Sequence, residues 1–256
     1  MTKVFKKGYL GLILLFLYIP VVILIMFSFN AGKSRAKWEG FSLQWYSALF
    51  RSKPIMDALY VTVSVAVLAA VFATLLGTLA AIGIHAMKKR PQSAMMTLTN
   101  LPMAMPDIVT GISLMLLFLF TKMERGYLTM LLAHITFNTP YVILSVMPRL
   151  KQMNKYMYEA ALDLGATPGT ALIRVIIPEV KPGIFTGALL AFTLSLDDFT
   201  ISYFTSPSVK NLSTLIYSRA RIGIEPTFNA LSALMFVLLL LLLIAVNRRS
   251  AKNASA

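Results

Sequence analysis

Asp197 and Asp198 stand side by side in FTLSLDDFTISYF, residues 192–204, inside an apolar run. Asp107 opens a second such run in MPDIVTGISL, residues 105–114. A carboxylate at the centre of a membrane-spanning helix costs about 2.5–3.5 kcal/mol. Such acids face a polar cavity, pair with a cation, or both. The chemistry open to these three residues is therefore electrostatic, and it suits a mobile cation. On a helix, Ser195, Asp198, Ser202 and Thr205 form one stripe, with Asp197 turned about 100° away beside Thr193 and Thr200. Asp107, Thr110, Gly111 and Leu114 form a second small and polar stripe. Two facing stripes would line a path. Phe199, Tyr203 and Phe204 would wall it, and Trp45 and Tyr46 would meet an entering cation by cation–π contact.

Each of these residues also has a plainer reading. Asp107 follows Met-Pro and could cap or rim a helix. One of Asp197 and Asp198 could pair with a basic residue of a partner subunit. Trp45 and Tyr46 could be ordinary interfacial aromatics. His134 and Asn138, four residues apart, read as hydrogen-bond partners between helices. Pro140 and Pro148 read as bending or ending their span rather than gating it.

Other chemistries fail on spacing. Adjacent helical residues diverge, so Asp197 and Asp198 cannot share a proton as an aspartyl-protease dyad does. AGKS at 31–34 lacks the upstream glycine of a phosphate-binding loop, because Phe27 stands there. This chain is therefore not expected to hydrolyse ATP by itself. His85 and His134 lack metal-ligand spacing. There is no cysteine, which excludes thiolate chemistry and Cys-ligated metals.

The elements that must place the acids follow from composition. The chain is 57% hydrophobic and 13% charged, against roughly half and a quarter in soluble domains. Apolar blocks of bilayer length predict an all-α membrane protein, one transmembrane domain over 1–256. Spans are expected at about 8–29, 58–86, 103–121, 127–148, 183–205 and 227–246, the first a retained helix rather than a signal peptide. The turn KMERGY joins the third and fourth as a hairpin. The net charge of +14 lies in clusters such as Lys6-Lys7, Lys88-Lys89-Arg90 and Arg248-Arg249. These are boundary anchors, not a nucleic-acid face. With both termini inside, 14 Lys/Arg fall on the inner side and 10 outside, a small bias of the right sign.

Residues 149–182 form the longest polar connection. MNKYMYEAALDLG reads as a short helix capped by Gly165. ATPGTALIRVIIP reads as a second, with Thr167 as N-cap, Pro168 in the first turn and Pro178 as the stop.

EAALDLGATPGTALIRVIIP, residues 159–178, closely resembles the EAA signature of binding-protein-dependent ABC importer permeases. Glu159, Ala160, Ala161, Gly165, Ile176 and Pro178 take the motif positions. The rest of the chain resembles the spermidine/putrescine branch, through WYSALF, MPDIVTGISL, LAHITF and FTLSLDDF. The resemblance implies the type I importer permease fold with this loop as a cytoplasmic coupling element. It implies two ABC ATPase subunits docked at Glu159–Gly165, which bind the ATP and Mg while this chain binds no cofactor. It further implies a second, homologous permease subunit and an extracytoplasmic polyamine-binding protein. The expected function is ATP-driven polyamine import by alternating access. A permease for another small solute, or an ion-coupled secondary transporter, is the alternative.

Overall fold

The computed structural model describes residues 3–34, 37–154, 156–221, 223, 225–238 and 240. Its helices run α1 Lys3–Ser28, α2 Gln44–Arg51, α3 Lys53–His85, α4 Lys89–Ala104, α5 Asp107–Phe120, α6 Tyr127–Gln152, α7 Tyr156–Asp163, α8 Pro168–Ala171, α9 Ile177–Asp197, α10 Thr200–Thr205 and α11 Leu212–Ala220. A further apolar helix, α12, covers Pro226–Leu238. The chain folds as two compact units: Met1–Asp57 with Ile216–Ala256, and Ala58–Leu215.

The smaller unit holds α1, α2 and α12 among its described residues. The connection after α1 is ordered by Asn30. Its Nδ2 donates to the carbonyls of Ser34 (3.1 Å) and Lys37 (2.9 Å), and its Oδ1 accepts from the Glu39 amide (2.7 Å). The amino-acid pattern alone reads as a plain loop here. The amphipathic α2 within it buries Leu49 and exposes Phe50 and Arg51.

The larger unit is built around α6. Its core joins Ala70, Ala73 and Ala81 of α3, Val142, Val146 and Leu150 of α6, and Val180 and Ala191 of α9. Small residues let these helices approach closely, since packing rather than hydrophobicity associates helices in lipid. Gly183, Gly187, Ala191 and Ser195 recur every fourth residue on α9 and are all buried. A Cβ at Gly183 would stand 2.8 Å from the Ser145 carbonyl oxygen, and one at Gly187 3.1 Å from the Val142 Cα. On α3, a Cβ at Gly77 would meet Val142 at 2.6 Å.

Among the described residues, four helices are long and apolar enough to cross a bilayer: Gly8–Ser28, Lys53–His85, Tyr127–Gln152 and Pro168–Asp197. Together with the bent pair α4–α5 they make five. The expected six spans need four corrections. The predicted span 103–121 is not one rod. α4 reaches back to Lys89, and it meets α5 at a 104° bend. Met105 is extended there because it precedes Pro106, whose ring disfavours helical backbone in the residue before it. Span four does not end at Pro148; α6 passes through Pro140 and Pro148 to Gln152.

Pro178 does not stop a helix either. The rod from Pro168 to Asp197 is continuous, widened into a π turn at Leu172–Ile176. Proline clashes with the carbonyl four residues before it and lacks an amide. A π turn is the usual local means of absorbing such a misfit. Finally, span five does not run unbroken to 205. α9 ends at Asp197, Asp198 is extended (φ −60°, ψ 126°), and α10 restarts at Thr200. The sixth span is represented by Pro226–Leu238, and the rest of 227–246 apart from residue 240 lies outside the described residues, as does the Arg248-Arg249 cluster.

Candidate functional site

The break in span five decides what each carboxylate can do. A helix end leaves backbone donors and acceptors without partners, and lipid supplies none. Asp198 meets this need for α10. Its Oδ1 accepts from the Ile201 amide (3.1 Å), and its Oδ2 accepts from the Ser202 amide and the Ser202 hydroxyl (2.8 Å each). Asn211 donates through Nδ2 to the Asp198 carbonyl (2.8 Å) and to Ser202 Oγ (2.9 Å). His134 of α6 places Nε2 at 3.3 Å from Asp198 Oδ2 and 2.9 Å from Ser202 Oγ. The Ser202 hydroxyl proton is committed to Asp198. The His134 Nε2 must then carry a proton that points at both oxygens.

Asp198 is 9% exposed and His134 2%. The two side chains are in direct contact, the imidazole N–H against the carboxylate. One turn along α6, Asn138 donates to Ser195 Oγ at 2.6 Å. His134 and Asn138 are thus interhelical hydrogen-bond partners, as their spacing predicts. Ser195, Ser202 and Thr205 are buried. The expected polar stripe of span five therefore turns into the protein, with its continuity interrupted at Asp198. The α5 stripe does not meet it; it packs directly on α10 through Thr200, Ile201 and Phe204. A Cβ at Gly111 would lie 3.1 Å from the Phe204 ring and 3.4 Å from the Thr200 carbonyl oxygen. Leu114 joins the Phe118–Phe137–Ile201 cluster.

Asp197 and Asp107 differ from Asp198. Both are exposed in apolar helices, Asp197 at the last position of α9 and Asp107 at the first of α5. No basic side chain pairs with either among the described residues. Tyr203 is half-exposed between the rings of Phe199 and Phe204, centroids 5.3 and 5.4 Å away. In the smaller unit, Trp45 Nε1 donates to the Asn30 carbonyl at 2.7 Å, which leaves only its ring for a ligand. The Tyr46 hydroxyl pairs with Ser28 Oγ at 2.8 Å.

The loop residues stand apart from the acids. α7 ends in a Schellman cap: Gly165 has φ +84°, its amide bonds the Leu162 carbonyl (2.8 Å), and the Ala166 amide bonds that of Ala161 (3.0 Å). Thr167 caps α8 through the Thr170 amide (3.3 Å), with Pro168 following it. Glu159, Ala160 and Gly165 are exposed, and Leu164 is 89% exposed. A self-capped helix that presents small residues and a bare leucine is suited to a protein partner.

Sequence reasoning missed Asn211 and the break itself. Aspartate three residues ahead of Ile201 in DDFTIS is a capping pattern that could have flagged the restart.

Residues 73–253 match the family described as the binding-protein-dependent transport system inner membrane component. The chain belongs to that family. This permease is 38% identical over 244 residues to the spermidine/putrescine transport system permease protein PotC of Escherichia coli (strain K12), covering 95% of this chain and 92% of that one. It is 40% identical to the putrescine transport system permease protein PotI of the same organism, covering 86% and 81%. PotC of Haemophilus influenzae is 37% identical, with 97% of each chain covered. Among solved structures, the permease fold matches a chain of a bacterial ABC transporter involved in import of the acidic polysaccharide alginate. The TM-score is 0.78 at 13% identity, covering 96% of this chain and 95% of that one. A chain of the MetNI methionine ABC transporter, in an inward-facing conformation, gives 0.62 at 17% identity, covering 80% and 99%. The permease thus has the type I ABC importer fold and is a multi-pass inner-membrane component.

Proposed function

We propose that this permease carries polyamines, spermidine or putrescine, into the cell as one subunit of an ATP-driven importer. The carrying observation is the 37–40% identity, over most of the chain, to permeases named for these two cations. Exposed Asp197 and Asp107 on apolar helices support it, since they suit a flexible cation and repel an anion. Tyr203 and Trp45 offer ring faces to ammonium or methylene groups, each contact worth about 0.5–2 kcal/mol. Weak contacts favour release of the cargo.

ATP and Mg bind two separate ATPase subunits, which dock on Glu159, Ala160, Ala161 and Gly165. Pro178 stands where the loop enters the long rod. The unbroken helix from Pro168 to Asp197 then connects the docked loop with the acid-bearing break. Closure of the ATPases pushes α7, and the rod carries that motion to Asp197. A homologous permease subunit completes the path, and an extracytoplasmic binding protein delivers the cargo. Both termini lie on the cytoplasmic side with the loop.

The test is uptake of labelled spermidine and putrescine by the complete transporter in membrane vesicles. Uptake should require ATP, persist when ion gradients are collapsed, and fall under competition by unlabelled polyamine but not by anionic solutes. Uptake that follows an ion gradient, or that polyamines fail to compete, would sink the reading.

A further inference from the structure

We propose that His134 and Asn211 are positioning residues for cation passage: they hold span five broken at Asp198 and so present the neighbouring Asp197 carboxylate to the cargo. The inference rests on the cation-carrying reading above and adds which acid does the work and what sets it in place.

A break in a membrane helix persists only if something satisfies the freed backbone groups. Here side chains meet four of those groups. The Ile201 and Ser202 amides of α10 go to the Asp198 carboxylate, the Asp198 carbonyl accepts from Asn211, and the Asp197 carbonyl accepts from Ser213 Oγ at 3.2 Å. Asp198 is thereby spent on the fold. Its charge is buried, and His134 is the group that makes burial tolerable. Asn211 is itself fixed, since its Oδ1 accepts from the Thr214 amide (2.9 Å) and hydroxyl (2.8 Å). The amide of the next residue, Leu212, bonds Thr62 Oγ1 on α3 at 2.8 Å. The clamp thus draws on α3, α6 and the start of α11. It turns the chain so that Asp198 points inward while Asp197 remains exposed. Without the clamp, the backbone groups at the break regain partners most directly by joining α9 to α10. Asp197 would then leave its terminal position.

The chain's lack of cysteine supplies the test. Asp197→Cys places the sole thiol of this chain at the proposed contact. Its modification by a cationic, membrane-impermeant methanethiosulfonate is timed in the fully assembled transporter, with and without spermidine. The thiol should react, and spermidine should slow the reaction. Adding His134→Leu should cut the rate about tenfold, equivalent to about 1.4 kcal/mol, and weaken spermidine protection. His134→Gln, which keeps a side-chain N–H donor, should restore both. An assembled His134→Leu transporter that reacts at the parental rate with protection intact overturns the proposal. If that variant does not co-purify with its ATPase, Asn211→Ala is read against the same tenfold mark. A parental thiol that reacts but gains no protection from spermidine removes the cargo assignment, while the effect of His134 on the rate still decides the clamp. A thiol that never reacts overturns both.

Discussion

Two adjacent aspartates have opposite fates because one residue is needed to finish a helix. Asp198 gives its oxygens to Ile201, Ser202 and His134. Removing it would leave the buried Ile201 and Ser202 amides without partners and take one of two acceptors from the His134 imidazole. Asp198→Ala should therefore destabilise the larger unit by about 3–5 kcal/mol, seen as a lowered unfolding temperature of the purified protein in detergent. Asp197→Asn removes a charge from an exposed side chain and should leave that temperature unchanged. It should reduce polyamine uptake by about tenfold or more, the equivalent of one lost contact to a cation worth roughly 1.5–3 kcal/mol. Wild-type uptake by the Asp197→Asn transporter would remove Asp197 from the path. The expected outcomes would separate these neighbours into a fold residue and a transport residue, by two independent assays.

At the scale of elements, the α6–α9 pair carries the larger unit, and glycine spacing governs how closely it packs. Gly183→Ala sets a methyl against the Ser145 carbonyl. The resulting overpacking should cost about 1–3 kcal/mol. Gly169→Ala meets no atom within 4 Å and should be neutral in the same melting experiment. Equal melting of the two variants would mean that the close approach is not what stabilises the pair. The Gly183–Gly187–Ala191–Ser195 spacing is a small-residue stripe that the amino-acid order alone displays. The π turn is not on display in that way, because a proline in an apolar run signals a misfit without saying whether the helix ends or widens around it.

For the whole molecule, the prediction concerns coupling. Glu159 is exposed on a helix that caps itself, so Glu159→Ala should leave the fold and the melting temperature alone. It should lower recovery of the ATPase with the tagged permease and abolish ATP-dependent uptake. Full ATPase recovery and full uptake would place the docking surface elsewhere on the chain.

The sequence by itself determined the membrane class, the rough place of the apolar blocks, the caps at Gly165 and Thr167, and the presence of acids where acids are costly. Those are properties of short windows: hydropathy, turn chemistry and the solvation cost of a charge do not depend on distant residues. It also showed His134 and Asn138 on one helical face. Only the tertiary structure decided which aspartate was free. That choice rests on His134 and Asn211, 64 and 13 positions away from Asp198, and no local pattern contains them. The break in span five was undecided for the same reason. A helix in lipid continues unless distant side chains satisfy its opened ends, and where those side chains meet is a matter of packing.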